Sequence, residues 1–155
     1  MNIPLHIVLF EPEIPPNTGN IARLCACTGC SLHLIHPLGF EINDKHLKRA
    51  GLDYWEHLDV HHYQNWTEAR EAIGSDHNWY GLSTKASCSY WDVEFTAGDV
   101  LVFGPETRGL NSDVRKEINT LKIPMREDAP VRSLNLSSAC AITMFEALRQ
   151  LKILT

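Results

Sequence analysis

Three short runs in this chain are apolar at nearly every position: Leu5-His6-Ile7-Val8-Leu9-Phe10, Leu32-His33-Leu34-Ile35 and Val100-Leu101-Val102-Phe103. Runs of this length and composition read as strands buried on both faces. The stretches between them carry helix signals. Asn17 to Thr28 reads as a helix, with Pro15-Pro16 before it and Gly29 just past its end. Trp66 to Ile73 and Ser112 to Asn119 read as helices, Asp44 to Ala50 as a short basic one, and the last helix spans about Asn135 to Lys152. Leu58 to Tyr63, Trp79 to Ser83 and Leu121-Lys122-Ile123-Pro124 complete the strands, and Pro37 stops the second. Strands separated by helices require crossovers. The expected fold is therefore α/β, with a mainly parallel sheet flanked by helices.

With 155 residues, the chain suffices for one domain with a sizeable core, expected to span 1–155. A hydrophobic fraction of 44% against 21% charged excludes a disordered chain. No apolar run approaches the ~18 residues of a membrane helix. Met1 to Glu13 has no basic segment, and Glu11 and Pro12 cut its apolar run short, so no signal peptide is expected. Five cysteines without a secretion signal read as reduced thiols in a cytoplasmic protein.

The final helix is apolar on most of its circumference. Leu136, Cys140, Thr143, Ala147 and Leu151 form one stripe, and Ala141, Ile142, Phe145 and Leu148 extend it around a second side. Such a helix is buried on more than one face. It lies deep in the core, or one side meets another subunit; a homodimer is the expectation.

Three polar, glycine-containing segments sit where strands end. In the first, Glu11-Pro12-Glu13-Ile14-Pro15-Pro16-Asn17-Thr18-Gly19-Asn20-Ile21-Ala22-Arg23, Asn17 is a good N-cap, and Asn20 and Arg23 share a helix face. A helix N-terminus offers backbone N–H groups to an anion, and an arginine there can hold a phosphate with two parallel hydrogen bonds. A capped helix with a solvated arginine fits the same residues. The second segment, Phe103-Gly104-Pro105-Glu106-Thr107-Arg108-Gly109-Leu110, follows a strand at its carboxyl end, where ligands of open α/β sheets gather. It also fits an ordinary turn. In the third, Arg132-Ser133-Leu134-Asn135-Leu136-Ser137-Ser138-Ala139, Ser133 or Asn135 can cap the final helix.

Metal is not expected. Cys25 and Cys27 fall inside a helix pattern and point about 200° apart, unlike the knuckle that zinc prefers. His61 and His62 lie on a strand and face opposite ways. The sequence has no Gly-x-Ser-x-Gly elbow, Walker loop or Gly-x-Gly-x-x-Gly.

Taken together, in this order and spacing, the three segments resemble the three motifs of the SPOUT class of RNA methyltransferases. The likeness runs from Leu5 to Leu151. It is strongest to the minimal, single-domain members, which methylate the 2'-hydroxyl of the tRNA wobble nucleotide, cytidine or modified uridine 34, in leucine tRNAs. Gly51-Leu52-Asp53-Tyr54 after the basic helix belongs to the same likeness.

The resemblance implies a C-terminal deep trefoil knot, a homodimer and S-adenosyl-L-methionine as cofactor. It implies cofactor contacts at Leu82, Gly104, Ile123, Ser133 and Leu134. Arg23 matches the arginine that activates the ribose hydroxyl. Asn17, Gly19, Asn20, Glu106, Gly109 and Asn135 match the supporting motif positions. The implied partner is a tRNA anticodon stem-loop, with Arg23, Lys45, Lys48, Arg49, Arg108 and Arg132 as its contacts. Relatives carry a tyrosine on the final helix where this chain has Phe145.

Lys plus Arg number 14 against 19 Asp plus Glu, a net charge of −5, which argues against binding RNA through bulk charge. A local positive groove on a negative background is expected instead. Two alternatives stay open on sequence: the same chemistry on another RNA such as ribosomal RNA, and a non-catalytic RNA-binding scaffold.

Overall fold

The computed structural model describes residues 2–42 and 53–155. Its centre is a six-stranded sheet: β1 (Leu5–Phe10), β2 (Ser31–Ile35), β3 (Val60–Tyr63), β4 (Trp79–Leu82), β5 (Asp99–Phe103) and β6 (Asn119–Leu121). The spatial order is β3-β2-β1-β5-β4-β6, and every pair is parallel. Four α-helices accompany it among the described residues: α1 (Pro15–Thr28), α2 (Trp66–Ile73), α3 (Ser112–Glu117) and α4 (Leu136–Leu151). The predicted α/β class and parallel sheet are both present.

Alternation along the strands divides the core into two layers. Leu5, Ile7 and Leu9 of β1, with Leu101 and Phe103 of β5, pack against Ile21, Ala22 and Cys25 of α1 and Cys140, Met144, Ala147 and Leu148 of α4. Val8 and Phe10, with Val100 and Val102, face the other way, toward Ala69 of α2 and Val114 of α3. The central strands are buried along nearly their whole length, which explains why their sequences are apolar rather than alternating.

Several boundaries differ from the sequence reading. Helix α1 begins at Pro15, because the two prolines occupy positions where their missing N–H costs nothing. Asn17 is thus inside the helix and buried, not its N-cap. Helix α3 stops at Glu117, and Asn119 opens β6, whose ladder ends at Leu121 rather than Pro124. In α4 the buried set is Cys140, Thr143, Met144, Ala147 and Leu148. Leu148 and the unforeseen Met144 join the core, while Ile142 and Phe145 remain exposed at 38% and 42%. The caps of α2, α3 and α4 are Asn65, Asn111 and Asn135, each accepting a backbone N–H through its side chain.

Three of the cysteines, Cys25, Cys30 and Cys140, are buried thiols of the core. Among the described residues no three His, Cys, Asp or Glu side chains are grouped to hold a metal ion, and no helix is long and apolar enough to cross a membrane.

Part of the second layer is polar. His6 Nδ1 lies 2.9 Å from His33 Nε2, and His33 Nδ1 lies 2.9 Å from the Tyr63 hydroxyl. The His61 ring stacks on His33 at 5.0 Å, and the His77 ring meets His6 edge-on. Burial, with His6 and His61 as neighbours, pushes the His33 imidazole down from its ordinary 6.5 to about 3. An unfolded chain therefore binds a proton at His33 near pH 6.5 that the folded chain refuses. Stability is intact above pH 6.5 and falls as pH drops toward 3. Chemical denaturation at pH 7.5 and pH 5 is expected to show a loss of about 2 kcal/mol from this group alone. His33→Asn is expected to flatten that slope by about one proton.

Candidate active site

Because all six strands run parallel, their carboxyl ends lie along one edge of the sheet. The strand order reverses between β1 and β5, the kind of switch point where open α/β sheets bind ligands. Beside it lies a cavity of about 590 Å³, within the range of small-molecule sites. Four segments line it: Leu82–Ala86 after β4, Phe103–Leu110 after β5, Lys122–Met125 with Glu127 after β6, and Arg132–Leu134 leading into α4. Hydrogen bonds from Tyr90 N to Lys122 O (3.0 Å) and from Lys122 N to Cys88 O (2.8 Å) tie the β4 and β6 loops together.

The second segment is shaped by one close approach. A Cβ on Gly104 would lie 2.3 Å from the Leu110 nitrogen and 2.4 Å from the Gly109 carbonyl carbon. Residues 105–110 fold back over Gly104 in a turn closed by Gly109 N donating to Pro105 O at 2.8 Å. Gly109 itself takes φ 67°, in the left-handed region that suits glycine.

A reciprocal clasp joins this loop to the first segment. The Glu106 carboxylate accepts the backbone N–H of Glu13 at 2.9 Å, that of Ile14, and the Asn17 side-chain amide at 3.4 Å. Helix α1 has no side-chain cap of its own, so Glu106 satisfies donors next to its N-terminus. The anion expected at that helix end is thus supplied by the chain itself. In return, the Glu13 carboxylate accepts the Thr107 N–H at 2.9 Å and the Thr107 hydroxyl at 2.8 and 3.0 Å. These bonds hold the Glu13 carboxyl below the ordinary carboxylate range, with Arg108 adding to the effect. The chain enters this loop through Glu11, which adopts φ 48°. That conformation costs a residue with a Cβ about 1–2 kcal/mol.

Leu82, Gly104, Ile123, Ser133 and Leu134 all line the one cavity, as do Glu106, Arg108, Gly109 and Arg132. Arg132 is steadied by donating to the Arg126 carbonyl, while Arg126 pairs with Asp128 at 3.0 Å. Asn17, Gly19, Asn20 and Arg23 do not line the cavity; they lie along α1, with Asn20 and Arg23 exposed. Asn135 stands behind the third segment as the cap of α4, accepting from Ser137 N at 2.9 Å. Lys45, Lys48 and Arg49 lie outside the described residues.

Sequence reasoning missed Lys122, Met125 and Glu127 in the lining; Glu13 and Thr107 lay within the first and second segments, but their pairing in the clasp was not foreseen. The lining suits a nucleoside-bearing ligand with a charged tail. Leu82, Phe103, Ile123, Pro124 and Leu136 give apolar walls; Ser83, Thr84 and Ser133 give hydroxyls; Lys85, Arg108, Lys122 and Arg132 give positive charge.

Comparison with known proteins bears on this arrangement. The SpoU rRNA Methylase family matches residues 4–145. The tRNA (cytidine(34)-2'-O)-methyltransferase of Saccharophagus degradans is 52% identical over 149 residues, covering 94% of this chain and 95% of that protein. A solved structure described as giving structural insights into the 2-OH methylation of C/U34 on tRNA superposes with a TM-score of 0.89 at 47% identity, over 96% of both chains. The SpoU methyltransferase AviRb of Streptomyces viridochromogenes, solved in complex with AdoMet, matches with a TM-score of 0.81 at 27% identity, covering 99% of this chain and 60% of that longer one.

Gly104→Ala is expected to be among the most damaging single substitutions at this edge. The added methyl overlaps backbone rather than a movable side chain, so the loop must open, at about 3 kcal/mol. Thermal unfolding checks the loss of stability, and calorimetry with S-adenosyl-L-methionine checks the accompanying loss of the cavity.

Proposed function

This chain belongs to the SpoU rRNA methylase family, and from that membership and its cavity we infer that it is a methyltransferase for the tRNA wobble nucleotide. It transfers the methyl group of S-adenosyl-L-methionine to the ribose 2'-hydroxyl of cytidine or modified uridine 34. The carrying observation is the 52% identity, over nearly the full length of both chains, to a tRNA (cytidine(34)-2'-O)-methyltransferase. We assign leucine tRNAs as the substrates and the anticodon stem-loop as the bound element, in the cytoplasm.

The cavity suits the cofactor through Leu82, Gly104 and Ile123 at strand ends and Ser133 and Leu134 before α4. Bound there, the cofactor supplies a methyl group on a sulfonium, which becomes a neutral thioether on transfer. The protein's part is to place the hydroxyl in line and to relieve it of its proton. Arg23 is the residue we assign to that task. A guanidinium hardly ever deprotonates in proteins, so it does not act as the base. It clamps an RNA phosphate and stabilises the developing alkoxide, and the phosphate oxygen or a water takes the proton.

Arg23 does not line this chain's own cavity, which supports a homodimer in which two copies complete each site. The exposed apolar side chains Leu134, Ile142 and Phe145, at the start of and along α4, support the same arrangement. The family's trefoil knot fits the path of the C-terminal segment, which leaves the sheet edge at β6 and returns to pack α4 against α1 and β5. Arg108 and Arg132 at the cavity, with Lys45, Lys48 and Arg49, supply the positive charge for RNA on an acidic chain.

Labelled S-adenosyl-L-methionine and tRNA from a strain lacking the gene test the assignment, with nucleoside mass spectrometry locating the product. Label on the 2'-hydroxyl of nucleotide 34 is expected; label elsewhere, or none, would sink it. Arg23→Lys is expected to lower kcat at least ten-fold while cofactor binding stays unchanged, because lysine keeps the charge but loses the two-pronged contact. Near-full turnover by that variant would dismiss the clamp.

A further inference from the structure

The reciprocal clasp joins two parts of the site that the sequence holds 94 residues apart. Glu106 receives the backbone N–H groups of Glu13 and Ile14, and Glu13 receives both donors of Thr107. One side of the clasp leads into α1, which carries Arg23. The other is the loop from Gly104 to Leu110, which walls the cavity. The backbone of Glu13 is also fixed from behind. Gly39 N donates to Pro12 O at 2.9 Å, and a Cβ on Gly39 would stand 2.8 Å from the Glu13 Cα. Glu13 is thus seated on a firm backbone, with its carboxylate aimed across the switch point. Its two hydroxyl contacts and one amide contact are more than this loop needs merely to turn, since Gly109 N already closes the turn on Pro105 O.

We propose that Glu13 is a positioning residue for methyl transfer, acting through Thr107 to hold the cavity wall in register with the helix that bears Arg23. The proposal rests on the function inferred above. Glu13 is not among the residues that line the cavity; it sets where the wall stands. Hydrogen bonds from Thr107 hold its carboxyl below the ordinary carboxylate range, which favours the ionised form that accepts them.

The test measures S-adenosyl-L-methionine binding by calorimetry and kcat at saturating cofactor and tRNA, at 20 °C. The proteins compared are wild type, Glu13→Ala, Thr107→Val, Thr107→Ser and the Glu13→Ala/Thr107→Val pair. Glu13→Ala is expected to weaken cofactor binding about ten-fold and to lower kcat, with the KM for tRNA unchanged. Thr107→Val keeps the backbone N–H contact and is expected to lose about three-fold. Thr107→Ser restores the hydroxyl and is expected to match wild type. The double variant is expected to equal Glu13→Ala alone, because both changes remove one interaction.

A merely structural tie would lower Tm and leave binding and kcat at 20 °C unmoved; that result overturns the proposal, as does additivity in the double variant. If Glu13→Ala does not fold, the Thr107 pair decides: Val equal to Ser overturns, Val weaker than Ser supports. Wild type that methylates nucleotide 34 beside variants that do so equally well removes the clasp and leaves the function standing. Wild type that binds no cofactor removes both.

Discussion

In a wholly parallel sheet every strand must start from the same edge, so each connection has to carry the chain back across a face before the next strand begins. That constraint orders the rest of this molecule. It forces helices onto both faces, which in turn requires β1 and β5 to be apolar on both sides. It also gathers all the carboxyl ends together, so that the loops after β4, β5 and β6 wall one cavity without any long excursion. The order reversal between β1 and β5 then leaves the loops after those two strands facing each other, with no crossover passing between them.

Two carboxylates meet across that gap where an arginine or an external anion would be the simpler expectation. Glu106 and Glu13 do not repel into solvent, because each faces donors rather than the other's charge. Glu106 sits against donors next to a helix N-terminus that begins with two prolines and lacks a side-chain cap. Glu13 sits on the hydroxyl and amide of a residue whose neighbour is Glu106 itself. The helix end is thereby neutralised from within. A phosphate brought to this edge meets the cations at Arg108 and Arg132 and along α1, not the α1 amides.

The element types were legible because propensity and burial agreed: apolar runs became central strands, and Asn135, one of two candidates, became the cap of the final helix. The errors came where two local signals competed. Asn17 looks like a cap, but Pro15 and Pro16 start the helix earlier, because a missing N–H is free only at that end. Asn119 continues a helical pattern, yet pairing with Tyr80 on β4 draws it into the sheet. Met144 falls off the apolar stripe read from the sequence, but the helix meets both α1 and β5 and buries more than one stripe. Of the candidate site, the motif residues that line the cavity were readable through their likeness to a known family. Glu13 with Thr107 was not, because a hydrogen bond across 94 residues leaves no local pattern in the chain.

Two polar groupings of opposite character sit on the same sheet. Across one face, His6, His33 and Tyr63 form a polar row on adjacent strands, each satisfying the next, with His61 stacked beside them, at the cost of His33's ability to carry a proton. Charge at His33 would be stranded in the core, and burial holds its imidazole in the neutral form. At the carboxyl ends the loops bring Lys85, Arg108, Lys122 and Arg132 around the cavity. A chain with a net charge of −5 thus places four cations, Lys85, Arg108, Lys122 and Arg132, beside two carboxylates, Glu106 and Glu127, around one cavity where the strands end, so the charge met there is set by local placement and not by the net sum.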